Sequence, residues 1–167
     1  MTQTTSLLPI IEQNLSKIDN GFWRAYLKKY FHETYDITLH LAIFVEPFLE
    51  FVLDGSKTIE SRFSSRRFSP YKRVTKGDIL LLKRSSGPVV GLCRVSQVWN
   101  YELDPPTFRN IQEKFSQALC ATEADFWKER ESARYATLMK VEKPCEVSPF
   151  SVPKRDRRGW VVIPQNE

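Results

Sequence analysis

Apolar residues recur with a helical period over residues 7–34 and then switch to alternation, the change of repeat that separates helices from strands. Leu7, Leu8, Ile10, Ile11, Leu15 and Ile18 make a loose helical stripe, which Asn20–Gly21 is expected to stop. Phe22, Trp23, Tyr26, Leu27, Tyr30 and Phe31 then recur in pairs every four residues, a second helical face that reads as packing surface. Ile37 to Val45 alternates and is rich in apolar residues, so a central strand is expected there. Pro47 to Asp54 reads as a short apolar helix running into Gly55, followed by a charged strand from Thr58 to Arg62.

A polar, basic loop over 63–76 precedes a buried strand from Asp78 to Arg84. Ser85–Ser86–Gly87 supplies a turn, and Pro88 to Trp99 is the partner strand, with Gly91 marking a bulge or a close backbone approach. Asp104–Pro105–Pro106–Thr107 carries the acidic and proline signals of a helix start, for a helix holding Phe108, Ile111, Phe115 and Leu119. Thr122 to Asp125 has the spacing of a capping box opening another short helix. Tyr135 to Val147 and Gly159 to Ile163 return to strand. The pattern contains no repeated strand–helix–strand unit and no dinucleotide glycine motif, which disfavours a doubly wound sheet. The expected class is α+β: a small, mostly antiparallel β-barrel with inserted helices, preceded by an N-terminal helical hairpin. Residues 1–36 are the expected extension and 37–167 the domain.

Composition narrows the setting. A chain of 167 residues with 41% apolar content suits one domain with a packed core. Cys93, Cys120 and Cys145 are odd in number and widely spaced, which fits small core residues in a reducing, cytoplasmic setting better than disulfides or zinc. No run approaches a membrane span, and the start of the chain lacks the pattern of a secretory signal. His32 and His40 have no third ligand in spacing and no neighbouring Cys or carboxylate arranged for nucleophilic chemistry, so both read as structural, with no metal or cofactor expected.

Charge adds a partner. The total is +5, yet the window from Arg62 to Arg84 alone carries +7, through Arg62, Arg66, Arg67, Lys72, Arg73, Lys76, Lys83 and Arg84 against Asp78. Lys154, Arg155, Arg157 and Arg158 form a second cluster, opposed by Asp156. Positive charge gathered in two places attracts polyanions, so these clusters are candidate phosphate contacts. A solvated basic loop is the bland alternative.

The densest chemistry lies at Gly55-x-Lys57-Thr58-x-Glu60-x-Arg62. In an extended chain Thr58, Glu60 and Arg62 share one face, with Glu60 and Arg62 about 7 Å apart. Lys57 has the opposite parity, but its long stem beside the Gly55 turn reaches the same mouth. Arg can fork to phosphate or to a base edge, Glu can accept from an exocyclic amine, and Lys supplies a compact charge. An ion-pair knot that merely closes the barrel is the competing reading. Among nearby aromatics Phe63, Phe68, Tyr71, Trp99 and Trp160, Tyr71 is the first candidate for base stacking and Trp160 the second.

This segment resembles the G-x-K-x-x-E-x-R signature of the ASCH domain family, matching all four defining positions. The resemblance covers about residues 37–163 and implies a PUA-like barrel related to RNA-binding folds. It implies an RNA or a nucleoside or nucleotide ligand held by Lys57, Thr58, Glu60, Arg62 and Tyr71. Some ASCH proteins that share the signature are amidohydrolases on acylated cytidine, and ribonuclease activity is also associated with the family. The amidohydrolases use the motif Lys, a Thr three residues later and a separate Glu. Here Lys57 matches the lysine, Glu60 stands where the Thr would be, and Glu102, Glu113 and Glu123 do not align with the third residue. Lys57 and Glu60 are the catalytic candidates if the chain is an enzyme. A partner-binding adaptor is the third reading, and it requires Trp23, Tyr26 and Tyr30 to be exposed.

Overall fold

The computed structural model describes residues 6–33, 36–153 and 157–165. Two helices, α1 (Leu8–Leu15) and α2 (Gly21–His32), lead into strand β1 (Leu39–Phe44) and helix α3 (Phe48–Leu53). Strands β2 (Ile59–Ser64), β3 (Ile79–Arg84) and β4 (Val89–Glu102) follow. Helices α4 (Pro105–Phe115) and α5 (Ala124–Lys128) then precede β5 (Tyr135–Phe150) and β6 (Trp160–Ile163).

The strands form one sheet in the order β2-β5-β4-β3-β1-β6. Pairing is antiparallel throughout except for β1 against β3, which run parallel with Leu39 opposite Ile79. The sheet curls into a half-barrel whose unpaired edges, β2 and β6, face each other. That seam is bridged by a side chain: Arg62 on β2 donates to the carbonyls of Gly159, just before β6, and Ile43 on β1. β4 and β5 are longer than their apolar alternation suggested, and their pairing shifts register three times. Such bulges let long strands bend around a barrel.

Local signals explain most boundaries. Asp104 caps α4 by accepting from Thr107 N at 2.8 Å. Asn20 does not end α1 as expected; it begins α2, its side chain accepting from Trp23 N at 3.0 Å. An Asn-Gly pair serves either end of a helix, and here the cap bond decides. The Thr122 box is likewise unused: α5 starts after Glu123 with no side-chain cap.

Three hydrophobic clusters hold the fold. One joins the two N-terminal helices to one face of the sheet, through Ile11, Trp23, Leu27, Tyr30, Leu39, Leu81 and Leu92. Trp23 and Tyr30 are therefore buried, and the exposed aromatic face that the adaptor reading needed does not exist. The second fills the opposite face between β1, β3, β4 and α3, and the third packs α4 and α5 under β2 and β5. Cys93 is in the core, whereas Cys120 and Cys145 are half-buried.

Gly91 is a true close approach. A Cβ there would lie 2.6 Å from Leu53 Cδ2 and 2.9 Å from the Cys145 carbonyl oxygen. One of those neighbours is backbone and cannot give way. Gly91→Ala is expected to lower stability by about 1–3 kcal/mol through overpacking. Urea unfolding of the variant checks this, and an unchanged midpoint would show that the strands slide apart freely.

Candidate ligand-binding site

α3 ends at Leu53 with Asp54 as its cap, and Gly55 follows with φ +85°, a turn that sends Lys57 inward before β2 begins. The Lys57 ammonium is 2% exposed, donates to the Leu119 carbonyl at 2.6 Å, and lies 5.2 Å from the Phe48 ring centroid. Its nearest anion is Glu60 Oε2 at 4.0 Å. Glu60 Oε1 accepts from Ser61 N at 2.9 Å and sits 3.4 Å from Arg62 Nε. Glu60 Oε2 is buried and has no hydrogen-bond partner, and neither does Arg62 Nε. The Arg62 guanidinium lies between the rings of Phe44 and Trp160, 5.1 Å from each centroid.

Lys57, Glu60, Arg62 and Phe44 line a cavity of about 240 Å³ at the seam, closed by Phe48 from α3, Phe126 from α5 and Arg130 just after α5. Burial pushes the Lys57 ammonium below the ordinary lysine range, with the Glu60 charge opposing the shift. Burial also lowers Arg130, against the pull of Glu129 and Glu60. The cavity thus holds three cations around one carboxylate, and that carboxylate keeps an unused acceptor.

Arg62 and Phe63 also line a second, larger space of about 700 Å³. Its walls carry Arg67, Phe68, Tyr71, Arg73, Tyr135, Arg157, Arg158 and Trp160. Arg67 is paired with Glu102 at 3.1 Å and lies over the Tyr135 ring. Arg73 and Arg157 are exposed at the groove.

The structure sorts the sequence candidates. Lys57, Glu60 and Arg62 meet at one cavity, and Thr58 does not join them: it is exposed, its N–H donating to the Ala118 carbonyl. Tyr71 lines the groove but is 7% exposed, its ring 5.0 Å from Tyr135, whereas Phe68 is 61% exposed. Trp99 packs on Phe115 in the helix-covered cluster. Arg66 and Lys72 are exposed outside both spaces, and Lys154 and Arg155 lie outside the described residues. Arg130, Phe126 and Tyr135 were missed, because nothing in their local spacing sets them apart.

His40 also departs from expectation. It does have a carboxylate partner, Asp78 Oδ2 at 2.8 Å, and accepts from Trp160 Nε1 at 3.0 Å. Among the described residues no group of three or more His, Cys, Asp or Glu could hold a metal ion. No helix among the described residues is long and apolar enough to cross a membrane.

The profile of the ASCH domain family matches residues 43–146, well over half of the chain. The chain belongs to the ASCH domain family. Its fold is accordingly PUA-like, and the cavity and groove fall largely within the matched span. An ASCH protein from Zymomonas mobilis superposes with a TM-score of 0.55 at 12% identity, over 68% of this chain and 73% of that one. A serine-to-alanine variant of the same protein superposes at 0.61 with 11% identity, over 77% and 90%. A protein from Enterococcus faecalis gives 0.50 at 14% identity, over 87% and 99%. At such identities the likeness is one of fold. No curated protein matches the chain.

Proposed function

We propose that this ASCH domain binds single-stranded RNA or a nucleotide, with one base in the Lys57–Glu60 cavity and the backbone along the basic groove. The observation that carries this reading is the buried Glu60 Oε2, which has an ion-pair neighbour at 4.0 Å but no hydrogen-bond partner, at a cavity that opens through Arg62 into a cationic, aromatic trough. Leaving a buried carboxylate oxygen without a hydrogen bond costs free energy that an incoming N–H donor recovers. The groove, at about 700 Å³, lies within the usual range of ligand sites, and the cavity falls just below it. A flat base therefore suits the cavity, and the sugar-phosphate must remain outside. Arg73 and Arg157 then meet phosphates while Phe68 offers an exposed ring for stacking.

Single-strand binding through these arginines depends on salt. Fluorescence anisotropy with a labelled oligoribonucleotide is expected to give a log–log salt slope of about −0.7 for each phosphate neutralised. Removing Arg73 and Arg157 together is expected to flatten that slope by about 1.4. Wild-type binding that ignores salt, or that is absent at low salt, would sink the proposal.

The lowered pKa of Lys57 favours one second reading, hydrolysis. A buried lysine that holds its proton less tightly than usual is a candidate base or nucleophile, with Glu60 4.0 Å away to pass the proton on. Incubation with N4-acetylcytidine followed by mass spectrometry tests it. Turnover in the wild type that disappears in Lys57→Met assigns the enzyme, and no turnover leaves the binding module.

A further inference from the structure

We propose that His40 and Asp78 are positioning residues, a buried relay that holds Trp160, and through it Arg62, at the junction of cavity and groove. The proposal rests on the reading that this junction binds the ligand, and it adds residues lying beneath it. An indole N–H can only donate, so His40 Nδ1 must be the acceptor of the Trp160 bond. The imidazole proton then sits on Nε2 and is donated to Asp78 Oδ2. Asp78 is fixed in turn by the N–H groups of Thr38 and Thr75, at 3.0 and 2.9 Å. His40 and Asp78 are fully buried and Trp160 is 3% exposed.

Packing alone does not call for this chain of hydrogen bonds. The neighbouring positions along β1 and β3, Leu39, Leu41, Leu80 and Leu82, fill the same sheet with apolar side chains. A polar chain through such a core is costly unless every member is satisfied, and every member is. Its one outward end is Trp160, which lines the groove and lies against the Arg62 guanidinium. Arg62 is the charged side chain shared by both spaces. Fixing the indole plane fixes the plane on which the guanidinium rests, and so the donors offered to a ligand.

The test uses His40→Leu, which removes the relay, and His40→Asn, whose side-chain oxygen can replace Nδ1 as acceptor. The indole N–H signal of Trp160, assigned by its loss in Trp160→Phe, reports the bond directly by NMR. In His40→Leu that signal is expected to shift, Arg62 Nε–H exchange to quicken, and oligoribonucleotide affinity to fall about tenfold. His40→Asn is expected to recover most of the affinity. Trp160→Phe should lose a similar amount, and combining it with His40→Leu should add nothing, because both act through one contact. Losses that multiply, or unchanged affinity with a shifted indole signal, overturn the relay. If the variants do not fold, the wild-type indole signal decides: a shift on ligand saturation supports the relay, and none overturns it. Should the wild type bind no oligonucleotide, the functional reading falls by itself. The relay is then judged by Arg62 Nε–H exchange in His40→Leu, where an unchanged rate overturns it.

Discussion

Lys57→Ala is expected to destabilise the protein by about 3 kcal/mol, the lower end of the loss on breaking a buried ion pair. The substitution strips Glu60 of the buried ammonium 4.0 Å from its Oε2, leaving Arg62 Nε at 3.4 Å from Oε1, and Arg130 across the cavity, to hold the charge. Replacing both partners, as Lys57→Met with Glu60→Leu, is expected to recover part of that loss, because no carboxylate is then stranded, although Arg62 and Arg130 lose their shared anion. The same double variant should bind no oligoribonucleotide. Stability and function thus separate: stability is partly recovered when both partners are replaced, whereas ligand binding is not. Chemical denaturation of the three proteins checks the ordering, and a double variant weaker than Lys57→Ala would contradict it.

The lysine also sets a pH signature. Its folded pKa lies below the ordinary 10.5, so between those values the unfolded chain holds a proton that the folded chain has released. Wild-type stability, measured against the double variant, should therefore rise with pH across that window, by about 1.4 kcal/mol per unit at most. Below the folded pKa the difference is flat, since both states are then protonated. A difference that falls across the window would mean that Glu60, rather than burial, controls the lysine.

Asp78→Ala is the other large effect, expected to cost about 3–5 kcal/mol. One fully buried carboxylate accepts from Thr38 N, Thr75 N, Thr75 Oγ1 and His40 Nε2. Losing it strands several donors at once, each worth about 1–3 kcal/mol where water cannot reach. Asp78→Asn keeps the size and one acceptor, and is expected to retain part of the loss. Thermal unfolding of both variants decides the matter, and a small effect from alanine would mean that water replaces the carboxylate. Because Asp78 sits where β3 begins, its loss should loosen the parallel β1–β3 pairing first, which hydrogen exchange at Leu39 to Leu41 would reveal.

Local rules were enough for much of the fold. The apolar alternation in Ile37–Val45 marks a central strand, and β1 does pair along both edges. Asp104 followed by two prolines starts a helix because one side chain and one missing N–H settle the first turn. Local rules failed where two outcomes share one signal, as at Asn20–Gly21 and Thr122. The site was legible in part for the same reason. Glu60 and Arg62 share a strand face by parity, but Lys57 reaches them only because α5 and the segment before it cover the seam.

The sequence by itself determined the elements, the concentration of basic charge and the charged run after Gly55, since each depends on residues within a few positions of one another. Only the tertiary structure decided what those charges face. Lys57 meets the carbonyl of Leu119, 62 residues on, and His40 meets Asp78 and Trp160 at separations of 38 and 120. Closing the curled sheet brings β2 against β6, and neither edge carries any mark of the other in its own residues. Hydrogen bonding across that seam depends on the curvature of the whole sheet, a property of many packed side chains together and of no short stretch of chain.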